Sequence, residues 1–273
     1  MGSSKVRVGY VQFYPKFGEK ERNVEKTVEM IRSAREPDVI VLPELSNTGY
    51  NFTSMDEVLK LAEPLYEGPS VREWLKAAEE QGATVIAGFA ELADGGKVYN
   101  SAAVCMPDGQ TAVYRKVHLF YREKLYFTPG DLGFPVFEVG KLKLGVIICY
   151  DWVFPEACRV LALRGAEVIC HPANLILPYA QRAMLARSIE NRVFTITANR
   201  IGVEDRGGLR LEFTGMSQVV SPKMEVLASS PRDAEDVKIV EIDLSLARDK
   251  KITELNDIFD DRRPQFYTQI VLR

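Results

Sequence analysis

The apolar residues of this chain fall in short, strand-sized runs that alternate with amphipathic helical patterns almost from end to end. That rhythm constrains the fold more than any other feature, because it calls for mixed sheets with helices on their outer faces. Residues 5–13 alternate in the strand manner and 19–35 read as an amphipathic helix; 39–42 form a short apolar run typical of a buried strand. Helices are expected at 55–62 and 69–81, then strands at 84–89, 98–105 and 110–115, the last two joined by a Pro-Asp-Gly turn at 107–109. A second stretch repeats the plan: strand 143–149, helix 155–163 with proline in its first turn, strand 168–170, helix 181–191 and strand 193–199. Strands at 217–220, 224–228 and 237–243 close the pattern. The expectation is two sheets stacked face to face under helices, in one domain over residues 1–273. Residues 244–273 form a tail whose apolar end docks on its own domain or on a partner subunit.

Composition narrows what such a fold does. The 273 residues are 46% hydrophobic and 27% charged, ordinary for a globular protein, and a chain this long needs no disulfide or metal staple. Lys plus Arg is 35 against 38 Asp plus Glu, a net charge of −3, which gives no electrostatic reason to bind nucleic acid or anionic lipid. No apolar run is long enough to cross a membrane, and the first residues run into a strand without the apolar core of a secretory signal. The four cysteines form no Cys-x-x-Cys pair. A reducing cytoplasm is the expected location. With only two histidines, His118 and His171, a zinc site or a Cys-His dyad is poorly supplied.

Three segments carry a reactive residue type just past a buried strand, where α/β folds build sites. Glu44 follows the apolar run 39–42 and precedes a turn-rich loop. Lys116 ends a strand pattern and enters an aromatic loop that also holds Glu123; a desolvated ammonium there is an oxyanion donor, and an edge-strand lysine reads the same way. Cys149 leaves an apolar strand shortly before a helix, in the manner of a nucleophile elbow without the flanking glycines; a buried core cysteine is the plain alternative. A thiol is only a few per cent ionised at neutral pH and needs a base or a cation beside it. A carboxylate and a lysine are what this chain offers.

These segments resemble the nitrilase superfamily of carbon–nitrogen hydrolases. The resemblance rests on Leu42-Pro-Glu44-Leu, Tyr114-Arg-Lys116-Val-His-Leu and Ile148-Cys149-Tyr-Asp-Trp-Val-Phe-Pro-Glu156. It continues through His171-Pro-Ala-Asn174, Arg187-Ser-Ile-Glu-Asn191 and Thr197-Ala-Asn199-Arg-Ile-Gly202, in the family order, from Val6 to about Asp243. It implies an α/β fold of the four-layer αββα sandwich type, paired into a homodimer or larger homo-oligomer through helices and the tail. It implies a Glu44–Lys116–Cys149 triad, Glu123 as an assisting carboxylate, and the Tyr150 backbone amide sharing the oxyanion with Lys116. The substrate is then a small amide or nitrile, cleaved through a cysteine thioester without metal or organic cofactor.

Cys149-Tyr150-Asp151 favours an amide, since true nitrilases of the family tend to read Cys-Trp-Glu; short aliphatic nitrilases share the pattern, so nitrile hydrolysis stays open. Tyr50, Phe120, Tyr121, Asn174 and Tyr179 fall in segments expected to face the pocket, with core packing as the alternative for each. N-carbamoyl amino acid hydrolysis needs a pocket arginine, for which Arg182 is the nearest candidate; surface exposure explains it equally well. Arg187 and Glu190 read as structural partners on one helix. A thiol-dependent acyl transferase and a non-catalytic scaffold are the rival classes.

Overall fold

The computed structural model describes residues 4–272. The first half contributes β1 (Lys5–Gln12), α1 (Lys20–Ser33), β2 (Val39–Val41), α2 (Met55–Leu61), α3 (Pro69–Gln81), β3 (Thr84–Leu92), β4 (Val98–Cys105) and β5 (Thr111–Arg115). The second contributes β6 (Val136–Val139), β7 (Leu142–Val146), α4 (Pro155–Leu163), β8 (Val168–Ala173), α5 (Ala180–Asn191) and β9 (Phe194–Asn199). A hairpin of β10 (Val203–Arg206) and β11 (Leu209–Glu212) follows, then β12 (Gln218–Val220), β13 (Val226–Ser229), β14 (Asp236–Asp243) and α6 (Ser245–Arg248).

Two six-stranded sheets result, in the orders β14-β1-β2-β3-β4-β5 and β13-β12-β9-β8-β7-β6. Each has three parallel strands, β1-β2-β3 and β7-β8-β9, flanked by antiparallel ones. The chain therefore does run through one plan twice. After the second sheet, β14 returns to pair with β1 along its full length, from Lys5 opposite Asp243 to Gln12 opposite Asp236.

Side-chain alternation decides which face meets which layer. In the β2 segment Val39 and Val41 point into a core shared with Val146, Cys170 and Ile196 of the second sheet. Ile40 and Leu42 point the other way, onto Val24, Val28 and Ile31 of α1 and Trp74 of α3. The Trp74 indole N–H donates to Thr27 Oγ1 at 2.8 Å, tying the two covering helices together. On the far side Ala157 and Leu161 of α4 and Met184 of α5 cover the second sheet. The molecule is a four-layer αββα sandwich. Among the described residues no helix is long and apolar enough to cross a membrane.

The local differences from expectation have physical causes. The strand expected to run to residue 149 stops at Val146. Ile147 still donates to Cys170 O at 3.0 Å, but the Ile148 N–H then turns to the Asp151 carboxylate at 2.8 Å, and the chain coils into a short 3₁₀ turn over Cys149–Val153. The strand at 224–228 begins later, at Val226, because Met224 sits at φ 70° in a turn closed by its N–H to Ser221 O. The β10–β11 hairpin departs from the expected pattern, since its strands are rich in charge. Its signal is the Gly207-Gly208 pair, both at positive φ, a turn type that only glycine enters freely.

Candidate active site

Glu44 lies two residues past Leu42, on a loop held against β3 by Leu42 N–H to Ile86 O and Ser46 N–H to Gly88 O, each 2.8 Å. The approach is so close that a Cβ on Gly88 would stand 2.5 Å from the Glu44 Cα, so only glycine fits there. Lys116 lies one residue past β5. Its N–H donates to Asn100 O and its carbonyl accepts from Gly130 N–H, both at 2.8 Å. Here too a side chain is excluded, because a Cβ on Gly130 would meet Arg115 O at 2.1 Å.

Between these anchors the side chains form a buried row. Lys116 Nζ donates to Glu44 Oε1 at 2.7 Å and to Glu123 at 2.8 Å. Asn100 Nδ2 donates to the same Glu44 oxygen at 2.7 Å, and the Tyr50 hydroxyl donates to Glu123 Oε1 at 2.6 Å. Glu44 Oε2 is buried and accepts nothing. Burial alone would disfavour the Lys116 ammonium, but Glu123 and Glu44 more than reverse this and hold its pKa above the usual lysine value. Burial raises Glu123, which Lys116 partly offsets. A lysine that stays charged between two carboxylates is thus a fixed positive pole in a dry site.

Cys149 takes φ 42°, a conformation that costs an L-residue energy and is held from several sides. His171 Nε2 donates to the Cys149 carbonyl at 3.0 Å and its Nδ1 accepts from the Thr197 hydroxyl at 3.1 Å, the pairing that fits a neutral imidazole. Burial lowers the His171 pKa to about 4. Asp151 fixes the other side of the turn through Ile148 N–H, the Tyr114 hydroxyl, and the His118 backbone and ring nitrogens. The Cys149 thiol itself is pushed well above the ordinary value by burial and then by Glu44, with Lys116 pulling the other way and Glu123 adding to the rise. The Asn174 backbone N–H favours the thiolate.

The four residues Glu44, Lys116, Glu123 and Cys149 are therefore brought together and act on one another electrostatically. Of the expected pocket residues, Phe120 and Asn174 line a small cavity with Cys149, beside Tyr150 and Trp152. Tyr50 is drawn onto Glu123, and Tyr121 stands exposed at the rim of the adjoining depression. Tyr179 is 54% exposed, its ring edge on Trp152 at 5.9 Å, outside the Cys149 cavity. Arg182 is also exposed and lines neither depression. Arg187 donates to Trp152 O at 3.1 Å and pairs with Glu190 at 3.0 Å, beneath the turn that follows Cys149. Sequence reasoning missed Asn100, Asp151 and His171 as supports of the site; Asn100 was legible as the one amide in a buried, mostly apolar strand. Among the described residues no cluster of three or more His, Cys, Asp or Glu side chains is arranged to hold a metal ion.

Fold and site together define an αββα-sandwich hydrolase. The sequence profile described as Carbon-nitrogen hydrolase matches residues 7–252. A protein named Nitrilase from Pyrococcus abyssi is 50% identical over 264 residues, covering 96% of this chain and 99% of that one. An (R)-stereoselective amidase from a Pseudomonas species is 35% identical, covering 88% of this chain and 85% of its own. The crystal structure of a carbon–nitrogen hydrolase from Helicobacter pylori superposes with a TM-score of 0.90 at 29% identity, covering 99% of both chains. The chain belongs to the carbon–nitrogen hydrolase family, within the nitrilase superfamily, and is one of its enzymes.

Proposed function

We propose that this enzyme hydrolyses the C–N bond of a small amide, giving a carboxylic acid and ammonia through a thioester on Cys149. The observation that carries the reading is the placement of Lys116 Nζ at 2.7 and 2.8 Å from two buried carboxylates, of which Glu44 keeps its second oxygen unpartnered and acts electrostatically on the Cys149 thiol. Glu44 removes the thiol proton as sulfur attacks the carbonyl carbon. Negative charge then develops on the substrate oxygen, where the Lys116 ammonium and the Tyr150 N–H receive it; one such donor is worth on the order of 100- to 1000-fold in rate. Glu44 passes the proton to the departing nitrogen, ammonia leaves, and the acyl group stays on sulfur. Water then attacks the thioester, with its proton going to Glu44 and Glu123 aiding its placement. The carbon–sulfur bond breaks, the proton returns to the thiolate, and the acid is released.

A nitrile enters the same sequence one step earlier. Sulfur adds to the nitrile carbon to give a thioimidate, which takes up water and expels ammonia to reach the same thioester. The Pyrococcus abyssi relative named Nitrilase supports this second reading. The test is ammonia release from a panel of aliphatic and aromatic amides, N-carbamoyl amino acids and nitriles, by wild type and Cys149→Ala. Release from amides that vanishes in the variant supports the first reading, and release from nitriles alone moves the activity to the second. Release that survives the variant defeats both.

The reading includes one hydrolase domain acting as a cytoplasmic homodimer. What supports the dimer is the tail, where Leu255, Phe266 and Val271 stand exposed. Light scattering of the full chain and of a chain ending at residue 248 tests it; a monomeric full chain refutes it.

A further inference from the structure

Asn174 stands one residue past β8 on backbone that is locked in place. The next residue, Leu175, donates its N–H to Asn199 Oδ1 at 2.8 Å, and its carbonyl accepts from Thr214 N–H at 2.9 Å and from the Thr214 hydroxyl at 3.1 Å. Asn199 is itself held by its Nδ2 on Thr214 Oγ1 and Gly215 O at 3.0 and 2.7 Å. Asn174 is 3% exposed, yet neither its Oδ1 nor its Nδ2 has a partner. Among the described residues it is the one side chain with two buried polar atoms both unpaired. Such a group carries a desolvation cost that a complementary ligand relieves. It lines the cavity that holds Cys149, where its neighbours Phe120, Trp152, Leu175 and Leu177 are apolar.

We infer that Asn174 determines specificity by receiving a second, neutral hydrogen-bonding group on the acyl portion of the substrate, which makes small dicarboxylic diamides the preferred class. The inference rests on the hydrolase reading above and names the substrate class of the same site. An Asn side chain offers one acceptor and a pair of donor hydrogens, and the group that answers both is another carboxamide. A carboxylate leaves Oδ1 unanswered, and none of the described residues lining this cavity carries a charge to meet it. A methyl end leaves both atoms unanswered. Hydrolysis of one amide of the diamide then releases ammonia and leaves the free acid with the far carboxamide intact. Polar groups left unpaired reject the wrong substrate more strongly than an apolar wall does.

Three ligands of equal length test this: succinamide, 4-methylpentanamide (the apolar isostere) and succinamate (the charged one). Titration calorimetry on the Cys149→Ala protein reads binding without turnover. It is expected to show succinamide bound about 30-fold tighter than 4-methylpentanamide, the weight of two modest hydrogen bonds, with succinamate no better than the apolar ligand. Asn174→Leu in the same background is expected to bring the succinamide-to-isostere ratio to about one. The wild-type kcat/KM ratio for the two amides should match the binding ratio. Equal binding of succinamide and its isostere, a preference for succinamate, or a ratio unmoved by Asn174→Leu each overturns the inference. The ligand series needs no Asn174 variant, so a poorly folded variant does not shelter it. Ammonia released alike from both amides sinks the diamide preference and keeps the hydrolase. Selective binding of succinamide with no Cys149-dependent ammonia does the reverse.

Discussion

His171 Nε2 holds the carbonyl of Cys149 at 3.0 Å, so a buried imidazole fixes the one backbone unit that carries the thiol. Its Nδ1 accepts from the Thr197 hydroxyl at 3.1 Å only while the ring is neutral, and burial depresses the His171 pKa from 6.5 to about 4. The unfolded chain therefore binds a proton that the folded chain refuses across this interval, and stability falls as pH drops from about 6.5 toward 4. The full depression corresponds to about 3 kcal/mol. Denaturant unfolding at pH 7, 5.5 and 4.5 measures it. The slope is expected to shrink in His171→Gln, which keeps a side-chain N–H donor without titrating. An unchanged slope in the variant means other groups carry the acid sensitivity.

Asp151 gathers four donors on one buried carboxylate: Tyr114 OH and His118 Nδ1 at 2.7 Å, Ile148 N–H at 2.8 Å and His118 N–H at 3.1 Å. Tyr114 and His118 flank Lys116 in the chain, and Ile148 precedes Cys149, so this one group ties the ammonium's segment to the thiol's. Asp151→Asn turns one end of the carboxylate into a donor facing donors. It is expected to lose about 2–3 kcal/mol of stability and to lower kcat much more than KM, since the substrate cavity is left intact. Steady-state kinetics beside thermal melts decide the matter; a stable variant with normal kcat removes Asp151 from this role.

The thiol's neighbours yield a prediction with an unusual sign. Burial and the Glu44 charge together raise the Cys149 pKa, with Lys116 opposing. Glu44→Gln removes a like charge, so the half-point of iodoacetamide alkylation is expected to move to lower pH. Loss of the base meanwhile cuts amide turnover by roughly 100- to 10,000-fold. Reactivity and catalysis should thus separate. Alkylation profiles from pH 6 to 10, read with ammonia release on the same preparations, test this, and a half-point that moves upward contradicts the electrostatic account.

Much of this arrangement is legible in the order of the amino acids. The strand–helix rhythm marks both sheets and the four main covering helices, because residues such as Val39, Ile40 and Val41 bury both faces and carry a strong local signal. Glu44, Lys116 and Cys149 stand out because each is a reactive side chain just past such a strand. The supports are harder to see. Asn100, Asp151 and His171 act mainly through residues far along the chain, namely Glu44, Tyr114 and the Cys149 carbonyl, and although Asn100 stands out as the one amide of its strand, nothing local tells which group each of them meets. Nor does the local pattern tell that Tyr179 is largely exposed while Asn174, five residues earlier, is buried and lines the Cys149 cavity, because both follow the same strand in an irregular loop.

Lys116 offers the sharpest separation of stability from catalysis. Its ammonium is fully buried between Glu44 and Glu123, so Lys116→Met leaves two carboxylates facing each other without a counter-charge. Breaking a buried pair in this way costs about 3–5 kcal/mol, and repulsion forces one carboxylate to take a proton near neutral pH. Adding Glu123→Gln removes one of the two charges and keeps an acceptor for the Tyr50 hydroxyl. The double variant is therefore expected to recover a large part of the lost stability and none of the activity, since no cation remains to meet the developing oxyanion. Denaturant midpoints for wild type, both single variants and the double variant form the cycle, with ammonia release measured on each. Recovery of turnover alongside stability shows that Lys116 serves only to hold the fold together, whereas a double variant that is stable and inert assigns it to the chemistry.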